Sequence, residues 1–171
     1  LLDTIEATNL ELRAPTTICY LIPENNALPT TQAPIDIEGI TWHHQPENLD
    51  TLRSEANIFV STSHQEPFGL SILEALMAGM CVIIPSDGAF WDLILTHNKN
   101  CLKYKPNDMS SLQHQLSIAN GNLHLITQLG QSGAHLSQGY QAEKCYLPIK
   151  LAMPILRNAS RIIGQQMDRG N

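Results

Sequence analysis

Charge is scarce in this chain. Only 15% of its 171 residues are Asp, Glu, Lys or Arg, against about a quarter in average globular proteins. With 43% hydrophobic residues, such a composition excludes a charge-rich disordered polypeptide. Basic residues are scarcer than acidic ones: 10 Lys and Arg face 16 Asp and Glu, for a formal net charge of -6. No basic stripe is available to follow a phosphate backbone, so no nucleic-acid partner is expected. No apolar run approaches the ~18 residues of a membrane span. The opening Leu1-Leu2-Asp3-Thr4-Ile5-Glu6 lacks the basic flank of a signal peptide. The expectation is a cytoplasmic location without a transmembrane segment, with peripheral membrane association left open. Cysteine is sparse too. Cys19, Cys81, Cys101 and Cys145 are scattered, with neither the paired spacings of a zinc site nor the density of a disulfide scaffold. Reduced and mostly buried thiols follow. No G-x-G-x-x-G follows any candidate strand, which excludes a dinucleotide-dependent oxidoreductase. The chain also opens without Met, on a helical pattern, as expected of a piece of something longer.

What is present alternates. Residues 16–22, 56–62 and 80–84 are short apolar runs rich in β-branched residues and read as strands buried on both faces, with weaker candidates at 37–42 and 101–104. Helical patterns lie between and after them, at 46–55, 70–78, 89–95, 109–118 with Asp108 as N-cap, and from 120 to about 137. The stretch 23–34, with several Asn and Thr and no apolar period, reads as a surface loop. The fold class that follows is α/β: a Rossmann-like parallel sheet with flanking helices over residues 1–140, then a helical tail over 141–171. Within the tail, 141–163 is amphipathic and should bend at Pro148 and Pro154.

The chemistry concentrates between Ser61 and Gly79, where a strand's C-terminal end passes through a turn into a helix. Ligands of open α/β sheets bind at that edge. Gly69 allows close backbone approach, and the first N–H groups of the following helix suit an anionic diphosphate. Glu66 stands before the turn and Glu74 about one turn into the helix, so both can face one cleft. A plainer reading stands beside this one. Ser71 and Glu74 have capping-box spacing, and Glu66-Pro67 fits an ordinary helix entry. Leu70, Leu73 and Met77, at helical spacing, are expected in the core.

Two glutamates separated by seven residues, with Pro67-Phe68-Gly69-Leu70 between them, resemble the signature of retaining GT-B glycosyltransferases of family 4. The resemblance extends through Ala78-Gly79, the strand and loop at 82–88 and the segment 100–108, covering about residues 40–120. It implies the donor-binding, C-terminal half of such an enzyme, taking a UDP-, GDP- or ADP-sugar as substrate, with no metal and no further cofactor. By that resemblance Glu66 is the catalytic-site carboxylate on the donor sugar's hydroxyls. The amides of Phe68, Gly69 and Leu70, after Pro67, hold the sugar or distal phosphate, and Glu74 grips the ribose diol. His64 at the mouth and Gly88, through its amide, join the donor-binding set, although a solvated loop His and a plain strand-to-helix turn explain those two as well. His43 and His44 lie where the family's nucleobase loop contributes.

The sequence departs from the family at its start. The first strand, its glycine-rich turn and the basic pair that clamps the diphosphate have no counterpart. That strand would be central in the order 3-2-1-4-5-6, so its absence predicts a gap or a new edge in the sheet. The acceptor-side domain of the same polypeptide is also absent. The chain alone is therefore expected to be inactive, with millimolar or weaker donor affinity. A non-catalytic assembly or regulatory module and a nucleotide-sugar epimerase remain the alternatives.

Overall fold

Runs of Ile, Val and Thr form strands, and the Leu-, Ala- and Ser-bearing segments between them form helices. The computed structural model describes residues 1–9, 13–22 and 33–140. In chain order these hold α1 (Leu2–Glu6), β1 (Thr16–Tyr20), β2 (Ile40–His44), α2 (Leu49–Ser54), β3 (Ile58–Val60), α3 (Leu70–Met77), β4 (Cys81–Pro85), α4 (Phe90–Ile94), β5 (Leu102–Tyr104), α5 (Met109–Gly121) and α6 (Leu123–Ser137). A 3-10 turn, Gln138–Tyr140, follows. Each strand and helix anticipated before residue 140 is present, most of them shorter than their sequence patterns.

All the pairing is parallel, but it falls into two sheets rather than one. β1 pairs with β2 in the register Thr16↔Ile40 to Tyr20↔His44. β3, β4 and β5 form a second sheet with β4 central. No ladder joins β1 to β3 among the described residues, so the interruption anticipated in the sheet is a gap. β4 explains its own position. Cys81, Val82, Ile83, Ile84 and Pro85 are all buried, as a strand covered on both faces requires. Burying a Val or Ile side chain contributes about 1.5–3 kcal/mol. Pro85, with no N–H to give, comes at the strand's last position.

Around Cys81 and Ile83 the core continues through Leu102 and Tyr104 of β5, Leu112 and Ala119 of α5, and Ile126 and Leu129 of α6. α5 starts as expected: the Asp108 carboxylate accepts the Ser111 N–H at 2.9 Å. α3 departs from expectation. Its buried residues are Ile72, Leu73, Ala75 and Leu76, while Leu70 is 64% and Met77 53% exposed. Only Leu73 of the anticipated trio is core. The described cysteines are free and mostly buried, as expected: Cys81 and Cys101 are buried, and Cys19 is exposed on the narrow β1–β2 sheet. Burial pushes the Cys81 thiol up to about 11 and the Cys101 thiol up to about 12, so both remain neutral packing groups.

The chain divides into two units, Leu1–His135 and Leu136–Asn171. Of the second, only residues 136–140 are described. The expected tail at 141–171, with its amphipathic segment 141–163, Cys145 and the two prolines, lies outside the described residues, as do positions 23–32 of the expected surface loop.

Candidate donor site

The turn between β3 and α3 is built around one glycine. Gly69 is the N-cap of α3 and sits at φ 72°, ψ 72°, in the left-handed region. A Cβ there would stand 3.2 Å from Ile72 Cδ1 and 3.3 Å from both Glu66 Oε2 and Trp91 Cδ1. The Glu66 carboxylate therefore lies close against the glycine backbone. The Gly69 carbonyl accepts the Ile72 N–H at 3.1 Å, the Leu73 N–H at 3.2 Å and the Trp91 indole N–H at 3.1 Å. Phe68 packs on Phe90 and Trp91, with ring centroids 5.0 and 5.7 Å apart. These contacts clamp the turn onto α4 and leave the start of α3 at the sheet's C-terminal edge. The first N–H groups of a helix have no intrahelical acceptor and carry the positive end of its dipole. Leu70 and Ser71 head that first turn.

Ser71 and Glu74 do not form a capping box. No side chain caps α3, and Glu74 Oε2 is paired instead with Arg53 Nη2 of α2. A helix-capping account of Glu74 is thereby removed.

The next loop is tied to the first by acidic side chains. Asp87 accepts the Gln65 N–H at 2.6 Å with one oxygen and the Ala89 N–H at 3.0 Å with the other. Gln65, just before Glu66, has φ 50°. Asp92 accepts the Gly88 N–H at 2.8 Å and pairs with Lys103 at 2.6 Å. The Gly88 amide, anticipated as a donor contact, is thus engaged within the protein. Burial alone would raise the Asp92 carboxyl. The Lys103 hydrogen bond, the Gly88 N–H, the Lys103 charge and the Ser86 hydroxyl together outweigh it and hold the group below its ordinary value. Tyr104 donates its hydroxyl to the Ser61 carbonyl at 3.1 Å, linking β5 to the end of β3. Burial, then the Asp87 charge, pushes that phenol up.

Between the two loops lies a cavity of about 20 Å³ whose walls include Ser63, Glu66, Asp87 and Asp92, with Ile72 and Trp91 beneath. That is room for about one water molecule, with polar groups converging on it. The structure brings Glu66, Phe68 and Gly69 together at this cavity and its clamp. His64 and Pro67 are exposed on the same loop. Glu74 is not among the cavity walls and belongs to the α2–α3 ion pair. His44 packs against Tyr20, with centroids 5.1 Å apart, at the end of the β1–β2 sheet. Among the described residues no three His, Cys, Asp or Glu side chains group so as to hold a metal ion.

Sequence reasoning missed Arg53, Trp91 and the Asp92–Lys103 pair. A signal existed for the first: Arg53 is the single Lys or Arg between Arg13 and Lys99.

Residues 37–121 match the sequence profile of the family described as "Glycosyl transferases group 1". Over this segment, just under half of the chain, the sequence resembles the group 1 glycosyl transferases. The matched interval runs from just before β2 to the end of α5 and includes the whole clamp around Gly69. No curated protein sequence matches the chain. Among solved structures it is similar to sucrose-phosphate synthase from Thermosynechococcus elongatus, at 24% identity and TM-score 0.63, over 70% of this chain and 31% of that one. It is also similar to the C-terminal domain of a group 1 glycosyl transferase, LpcC, from Francisella tularensis, at 24% identity and TM-score 0.55, over 61% of this chain and 55% of that one. A third is Anabaena HepE in complex with UDP and glucose, at 14% identity and TM-score 0.57, over 70% and 32%. These likenesses establish the fold, one parallel α/β half of the GT-B architecture. The chain spans about a third of the length of the first and third of these proteins.

Proposed function

We propose that this chain is the donor-binding half of a retaining glycosyltransferase that moves a sugar from a nucleotide sugar to an acceptor held by another domain of the same polypeptide. The observation that carries the reading is the Glu66 carboxylate held against Gly69 at the cavity wall, within the segment that matches the group 1 family. In this reading Glu66 accepts hydrogen bonds from the donor sugar's hydroxyls, where charge-assisted bonds contribute about 1.5–3 kcal/mol each. The amides of Phe68, Gly69 and Leu70 and the α3 dipole stabilise charge on the departing diphosphate as the sugar–phosphate bond breaks. Glu74 receives the ribose hydroxyls, and His64 lies at the mouth. Gly88 serves through its φ of 78°, which shapes the turn, rather than through its N–H.

A uridine diphosphate donor is favoured by the complexes of HepE with UDP and with UDP-glucose, and GDP- and ADP-sugars are the other candidates. The proposed site of action is cytoplasmic, and no described helix is long and apolar enough to cross a membrane. The reaction needs no metal or further cofactor in this scheme. The acceptor side of the cleft must come from outside these residues, so the isolated chain does not transfer sugar.

The test is Glu66→Gln and Glu74→Gln in the full polypeptide, assayed with a panel of nucleotide sugars. A loss of turnover in the first and a raised donor KM in the second are expected. Unchanged function in both would favour a non-catalytic module instead, and a product that is an epimerised nucleotide sugar would show an epimerase.

A further inference from the structure

Arg53 has the strongest unassigned claim on the site. It lies in α2, which enters none of the loops of the cavity, yet its guanidinium reaches α3 and pairs through Nη2 with Glu74 Oε2. Through Nη1 it also holds Asp50 Oδ1 at 2.9 Å. The two partners in the Glu74 pair differ in exposure. The Arg53 side chain is 16% exposed and that of Glu74 46%. The cation is thus the packed partner, and the Glu74 side chain is the one open to solvent. A surface ion pair between two free side chains would have both partners exposed and would fix little. Here the guanidinium is packed and the carboxylate is the exposed end that it holds.

We infer that Arg53 is a positioning residue for nucleoside recognition: its planar guanidinium holds one oxygen of Glu74 so that the other is aimed at the hydroxyls of a ribose. This rests on the reading of Glu74 as the ribose-binding carboxylate. A carboxylate already held in one rotamer loses less freedom when it binds a diol, so affinity rises without a new contact to the ligand. Lysine cannot reproduce the two-sided hold on Asp50 and Glu74, because an ammonium lacks the planar fork.

The experiment is calorimetric titration of the full polypeptide with UDP and with 2′,3′-dideoxy-UDP, with ADP and GDP in parallel. The native protein is expected to prefer the ribose form. Arg53→Gln is expected to weaken UDP binding about tenfold while changing dideoxy-UDP binding less than about twofold. Glu74→Gln is expected to erase the preference altogether. If Arg53→Gln weakens both nucleotides equally, the guanidinium acts on the phosphates or on the fold and the proposal is overturned. If it changes neither while Glu74→Gln erases the preference, Arg53 has no part and only the reading of Glu74 survives. If the preference persists in Glu74→Gln, that reading fails and the Arg53 role fails with it. Failure of UDP, ADP and GDP alike to bind the native protein overturns both. Circular dichroism establishes that each variant is folded. Should Arg53→Gln not fold, Arg53→Lys replaces it, with a preference between that of the native protein and that of Glu74→Gln expected and a full native preference overturning the proposal.

Discussion

The Asp87 carboxylate accepts the Gln65 N–H at 2.6 Å and so joins two loops that are 22 positions apart in sequence. With its second oxygen on Ala89 N–H, one side chain secures both the backbone beside Glu66 and the entry to α4. Gln65 is held at φ 50°, a left-handed conformation that costs a non-glycine residue about 1 kcal/mol or more. The bond to Asp87 is what makes that conformation the resting one.

Replacing Asp87 with Ala is expected to release Gln65 and let Glu66 swing away from Gly69. Misplacement of a reacting group by about an ångström costs up to about a hundredfold in rate. Turnover should therefore fall about ten- to a hundredfold with a smaller change in donor KM, read from steady-state kinetics of the full polypeptide. Asp87→Asn, which keeps one acceptor oxygen, should fall between the two.

Much of this was legible before any coordinates, and the exceptions share a cause. The turn at Gly69 could be read because its demand is local: a left-handed residue between a strand and a helix calls for glycine, and the flanking Glu66 and Glu74 follow by spacing. The Asp108 cap of α5 was legible for the same reason. The buried face of α3 was not. Leu70, Ile72, Leu73, Ala75, Leu76 and Met77 are apolar at nearly every position, so the 3.6-residue period fits more than one face. Packing against β4 and α6 chose Ile72 and Leu76 over Leu70 and Met77. Arg53–Glu74 and Lys103–Asp92 span 21 and 11 positions. Their partners are set by helix packing, which no local pattern encodes. The division into two sheets is likewise non-local, since strand pairing depends on which backbone edges meet.

Gly69→Ala tests the clamp directly. The new methyl would meet Ile72, Glu66 Oε2 and Trp91 at 3.2–3.3 Å, and alanine resists φ 72°. A left-handed Ala costs about 1–2 kcal/mol. The expected outcome is a drop in melting temperature together with a turnover loss larger than that of Pro67→Ala, whose exposed ring holds nothing in this network.

The Asp92–Lys103 pair gives a pH signature. Asp92 sits below its ordinary value of 3.8 in the folded protein, so the unfolded chain binds the proton more readily. Its stabilising contribution is therefore present above about pH 4 and is lost as acidification passes through the lower folded value. Asp92→Asn should be less stable than the native protein at pH 7. The difference should shrink between about pH 5 and pH 2, as measured by urea unfolding at each pH. A difference that is constant across that range would show that Asp92 acts through shape and not through charge.

Gly130 carries the last prediction, on the packing that supports β4. In α6 its missing side chain allows the helix to lie on the backbone that enters β4, and a Cβ would fall 2.1 Å from the Gly79 carbonyl oxygen. That atom is backbone and cannot turn aside as a side chain could. Gly79 itself has φ 76° and closes α3, so moving it would also disturb the C-terminal end of the helix that bears Glu74. Overpacking of this kind costs about 1–3 kcal/mol, and Gly130→Ala should lower the denaturation midpoint accordingly. Gly121→Ala is the matched control, because a Cβ at that helical glycine meets nothing within 4 Å. Helix propensity there favours alanine by up to about 1 kcal/mol, so the control should be as stable as the native protein or more so. Equal destabilisation in both variants would mean that α6 does not seat on Gly79 in solution.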